Sequence, residues 1–97
     1  MRSDWPFGDA QHVATITSRQ IIEGDDWIYY VGHDDDDGAW QFHGEGGPCE
    51  EADAVVVSLR SVVERDPTIR SLADLPLGWC AWRESPDSEW LRAPRQR

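Results

Sequence analysis

The chain has no lysine; all nine basic residues among its 97 are arginines. A phosphate-cradling P-loop depends on its lysine, so that kind of nucleotide site is excluded. A second absence is local. Between Arg19 and Arg60 there is no basic residue, yet the stretch holds eleven carboxylates, including the run Asp34-Asp35-Asp36-Asp37. The rest of the chain carries eight carboxylates against nine arginines, so the formal charge of −10 belongs to one segment. Such a field repels phosphate backbones and anionic headgroups, which speaks against nucleic-acid and membrane partners and for a basic protein partner.

Long apolar runs are also missing. Met1 to Pro6 offers no signal-peptide core and no later stretch could cross a bilayer, so a cytoplasmic location is expected. Cysteine is scarce: Cys49 and Cys80 suit reduced thiols there, with a disulfide between them left open. Cys49 sits beside Glu50 and Glu51, which disfavour a thiolate, and Cys80 between Trp79 and Ala81 reads as a small core residue.

Catalytic and metal signatures fail on spacing. There is no Gly-x-Ser-x-Gly elbow. His33 and His43 flank a hairpin and could approach one another, but neither stands in a CxxC or HxxxH pattern. An EF-hand register with Gly38 sixth puts His33 first and Gly44 twelfth, where Asp and a bidentate Glu are required. No catalytic residue, metal or cofactor is expected.

What is present reads as one α+β domain, residues 12–92, between a loosely held arm (1–11) and a frayed basic tail (93–97). His12–Ser18 and the aromatic, β-branched run Trp27–Val31 are strand candidates, and Glu23-Gly24-Asp25-Asp26 between them suggests a hairpin. Gly38 after the Asp run supplies a positive-φ turn position, returning the chain through Ala39–His43. Ala54–Val57 has the pattern of a strand buried on both faces. Ser58 caps a helix with Leu59, Val62 and Val63 on one face, and Asp66-Pro67 opens a second segment with Ile69, Leu72 and Ala73 inward. Trp79–Arg83 is again a strand, and Glu89–Arg92 an edge strand. The expected architecture is an antiparallel β-sheet with one or two short helices on one side.

These elements resemble a bacterial family, immunity protein 33. The residues carrying the likeness are Thr17-Ser18-Arg19, Tyr29-Tyr30-Val31, Gly38-Ala39-Trp40-Gln41-Phe42, Val57-Ser58-Leu59, Asp66-Pro67-Thr68-Ile69, Leu72 to Gly78, and Ala81-Trp82-Arg83. The resemblance implies a small, non-catalytic cytoplasmic domain that neutralises a cognate toxin. It carries over no functional residue.

The binding candidates come from composition. Asp34, Asp35, Asp36 and Asp37, with Glu50 and Glu51 in the following acidic loop, form a cation-seeking surface, and Trp40 is its aromatic anchor. The expected partner is a basic protein surface, such as a toxin's cleft. A structural or regulatory domain kept soluble by its acids is the alternative. Oligomeric state is left open.

Overall fold

The computed structural model describes residues 5–47 and 50–95. Its elements are β1 (Ala14–Ser18), α1 (Arg19–Glu23), β2 (Tyr30–His33), β3 (Trp40–His43), β4 (Ala54–Ser58), α2 (Leu59–Arg65), β5 (Trp79–Trp82) and β6 (Leu91–Pro94), with 3₁₀ turns at Glu51–Asp53 and Pro67–Leu72. The helical starts are set by side chains that accept orphan backbone N–H groups. Ser18 accepts from Ile21 N, Ser58 from Ser61 N, and Asp66 from Thr68 N ahead of Pro67. Gly24, at φ 89°, ends α1 in the left-handed conformation that glycine adopts without penalty.

The strands form one six-stranded sheet in the order β4-β1-β3-β2-β5-β6. It is antiparallel apart from the β1–β3 pair, which is parallel. Strand alternation divides the sheet into two unlike faces. Val31, Trp40, Phe42 and Ala81 point to one face, each at most 1% exposed, and there join Ile21, Leu59, Val62, Ile69 and Leu72 from the helical segments and Leu75 just beyond them in a single core. The other face carries a row running across all six strands through Val56, Ile16, Gln41, Gly32, Cys80 and Ala93. At its β4 end this row is open to solvent, with Val56 70% and Ile16 39% exposed.

The α+β class with helices against one sheet face is thus present, and α2 buries the three residues its spacing named, Leu59, Val62 and Val63. Several details differ. The expected hairpin between the first two strands does not form: α1 turns the chain away, and β1 lies between β3 and β4. The second strand begins three residues later than its aromatic run: Ile28 is drawn into the core, the Trp27 and Tyr29 rings meet edge to face ahead of it, and the Tyr29 backbone still bonds His43 O and Arg83 N on either side. Ala54–Ser58 is an edge strand. Its valine run reflects one face on α2 and one in solvent, not burial on both.

The ends are tied down more firmly than the composition suggests. Phe7 is buried and meets Trp40 edge-on at 5.4 Å between ring centroids, while the Trp40 indole N–H donates to Asp9 Oδ1 at 3.2 Å. Residues 5–9 are therefore part of the packed domain, not a loose arm. At the other end β6 runs to Pro94, and Arg95 N donates to Gly78 O at 2.8 Å. The tail boundary at 93 is displaced accordingly. Gln96, Arg97, Met1 to Asp4, Pro48 and Cys49 lie outside the described residues.

One buried charge knits the helical layer to the sheet. Arg83, 1% exposed, donates from Nε to Ile28 O (2.9 Å), from Nη1 to Thr68 Oγ1 (2.9 Å) and Pro86 O (3.1 Å), and from Nη2 to Asp66 Oδ2 (2.5 Å). Its guanidinium also lies over the Trp90 ring, 4.2 Å from the centroid. The pairing and stacking together compensate a desolvation cost that an isolated cation could not meet.

Candidate functional site

The Asp run occupies the connection between β2 and β3, whose last register pair is His33 with Trp40. Asp34 N donates to Ala39 O at 2.8 Å, and Gly38 N to Asp34 O at 3.0 Å. Gly38 has φ 75°, the left-handed step expected of it. Asp37 Oδ1 accepts from Ala39 N at 3.0 Å, so one carboxylate of the run shapes the turn itself.

This tip folds over the start of β5. Gly78 N donates to His33 O at 2.7 Å, and a Cβ at Gly78 would stand 3.4 Å from Asp35 Oδ2. Gly78 also holds φ 82°, a left-handed conformation that favours glycine. The result is a concavity of about 360 Å³ lined by Asp34, Asp35, Asp36, Asp37, Gln41, Gly78 and Arg95.

The four carboxylates are not equivalent. Asp34 is half-buried and fully engaged: Oδ2 accepts from Gln41 Nε2 at 2.7 Å, and Oδ1 pairs with Arg95 Nη1. That bond holds the Arg95 guanidinium above its already high ordinary pKa. Asp36 and Asp37 are exposed, and no arginine among the described residues pairs with either. Asp34, Asp36 and Asp37 each offer an oxygen within 4.8 Å of the others, an arrangement that suits a hard cation or the nitrogens of a basic side chain. A cation drawing on Asp34 competes with Gln41 and Arg95.

From Asp34 a polar chain leads into the open sheet face. A carboxylate only accepts, so Gln41 turns its amide nitrogen to Asp34 and its oxygen to His43 Nε2, 3.0 Å away. His43 must then donate from Nε2, and its Nδ1 is left a bare, buried lone pair without a partner among the described residues. Burial lowers the His43 pKa from its ordinary value, against a smaller upward pull from the Asp34 charge.

Three expected features are rearranged. Trp40 is 1% exposed, stacked on His33 at 3.9 Å between centroids and bonded to Asp9, so it is core and cannot anchor a partner. The alternation that puts Trp40 beside the Asp run also turns it inward. Glu50 and Glu51 are exposed but follow β3, whereas the Asp turn precedes it, so the strand separates the two acidic groups to opposite ends. His33 and His43 do not approach: His33 is on the core face with its Nδ1 2.8 Å from Leu75 O, and His43 is on the open face.

Composition did not reveal Arg95 and Gln41 as members of the site. In the sequence Arg95 is one basic residue of a tail, and Gln41 one polar position in the returning strand 39–43. Cys80 is a free thiol on the open face beside Gly32. Among the described residues no helix is long and apolar enough to cross a membrane. Comparisons with protein-family models, with curated proteins and with solved structures each returned no match.

Proposed function

We propose that the protein is a small, non-catalytic binding module that receives cationic side chains of a basic protein partner at the Asp34–Asp37 tip. The supporting observation is the uneven engagement of the four carboxylates: Asp34 is satisfied within the fold, while Asp36 and Asp37 stand exposed at the rim of a concavity where, among the described residues, the one lining cation is Arg95. Four like charges in one turn repel one another and favour encounter with a cationic surface. The resemblance to immunity protein 33 makes a toxin encoded nearby the natural partner, its basic surface occluded in the cytoplasm. With Trp40 withdrawn into the core, the aromatic part of the surface passes to Tyr30, whose ring lies over Gly32 on the open face beside the Arg95 guanidinium.

The test uses a basic effector encoded beside the gene, purified and mixed with this protein. Asp36→Asn/Asp37→Asn should slow association at low ionic strength by about tenfold while leaving dissociation within about twofold, because charge acts on encounter. Added salt should erase the difference. An unchanged association rate at low salt favours the other reading, a structural or regulatory domain with no toxin partner whose acidic tip serves solubility.

A further inference from the structure

The two edges of the sheet are built differently. β6 ends in Pro94, which has no N–H, and its Arg92 is paired with Asp74 at 2.8 Å; both are devices that discourage another strand from joining. β4 has neither. Its five residues, Ala54-Val55-Val56-Val57-Ser58, contain no charge and no proline, and among the described residues it pairs with β1 alone. Val56 at the centre is 70% exposed and sits beside exposed Ile16 on the open face.

The free backbone groups of β4 form a self-complementary set. Leu59 N donates to Val13 O at 2.9 Å, and the alternation of an antiparallel pair then directs the backbone groups of Val57 and Val55 toward β1. Those of Ala54, Val56 and Ser58 point out of the sheet. Two of them are already used: the Ala54 N–H donates to Glu51 O, and the Ser58 carbonyl opens α2 as its N-cap. What remains outward is the Ala54 carbonyl, both groups of Val56 and the Ser58 N–H.

We infer that β4 is the site at which a second copy of this chain adds edge to edge, antiparallel about a two-fold axis at Val56. In that register the two Val56 residues exchange both backbone bonds, and each Ser58 N–H meets the Ala54 carbonyl of the other copy. Every outward group finds a partner and the two already engaged are not asked for. An unrelated strand has no reason to share this pattern, whereas a second copy matches it by symmetry. On the open face, Ile16 and Val56 of both copies form one continuous apolar strip.

The test compares the protein with Val56→Lys, a charge of the kind edges use to repel strands, and with Val56→Thr, which keeps the β-branched shape. Circular dichroism and thermal melting first establish that each variant folds. Sedimentation equilibrium up to millimolar concentration should show a monomer–dimer equilibrium for the protein and for Val56→Thr, with dimerisation at least tenfold weaker in Val56→Lys. Amide exchange should show Val56 and Ser58 protected in the dimer and released on dilution. Monomer at every concentration, a dimer unaffected by the lysine, or a Val56 amide that stays unprotected in the dimer would each overturn the inference. Capture of a foreign strand by a monomeric protein is the first of these outcomes. Asp36→Asn/Asp37→Asn should leave the dimer in place, so this surface and the acidic tip fail or succeed separately.

Discussion

At the scale of single residues, the side chains that matter most to this fold are polar ones in apolar surroundings. Arg83 supplies four hydrogen bonds and a ring contact from an almost fully buried position. Arg83→Met should cost about 3–5 kcal/mol, read as a fall in the urea midpoint, because Asp66 is left without its cation. Arg83→Lys should recover little, since a single ammonium cannot span the same acceptors. Nothing in the sequence distinguishes this arginine from the eight others; its role depends on Thr68 and Asp66 arriving from another element. Trp40→Ala should likewise cost about 3–5 kcal/mol, the usual range for an aromatic removed from a core. His43 gives a pH dependence of definite sign. Its folded pKa lies below the ordinary 6.5, so the neutral imidazole favours the fold. The associated stability is fully present above pH 6.5 and is lost as pH falls toward the folded pKa, where the unfolded chain binds the extra proton. Denaturant midpoints between pH 7.5 and 5.5 should therefore fall more steeply for the protein than for His43→Gln.

At the scale of elements, the acidic turn divides by position. Asp34→Asn should destabilise the fold, because it weakens the bonds that Gln41 and Arg95 make with its carboxylate. Asp36→Asn/Asp37→Asn should leave the melting temperature unchanged or slightly raised, since two repelling charges are removed and the amide oxygen at position 37 can still accept from Ala39 N. A melt of the two variants side by side checks both statements. The legibility of each element follows the same division between local and distant causes. α2 and its cap at Ser58, the 3₁₀ segment opened by Asp66-Pro67, and strands β3 and β5 are written in local spacing and were readable. The neighbours of each strand were not. Ala54–Val57 looks doubly buried because valines on one strand report β-branching whichever face they take, and only the β1–β4 pairing, with no strand beyond it among the described residues, makes it an edge. The acidic tip was legible as composition, but its pairing with Arg95 joins residues 61 positions apart and leaves no local trace.

At the scale of the whole molecule, charge and topology act together. A chain of net charge −10 must bring like charges closer as it compacts, and the β2–β3 hairpin concentrates four of them in its turn. Refolding should accelerate with salt, by roughly two- to fivefold between 20 and 500 mM on the scale of a screened contact between like charges. Stopped-flow refolding of Asp36→Asn/Asp37→Asn should show a smaller gain. The path of the chain also brings Asp9 and Arg95 to the neighbourhood of this tip. Asp9 is bonded to the indole of Trp40, and Arg95 to Asp34, on either side of the turn. A tether attached at residue 95 would therefore sit beside the carboxylates and screen them. One attached at Glu51, exposed at the opposite end of β3, would leave the acidic concavity unobstructed.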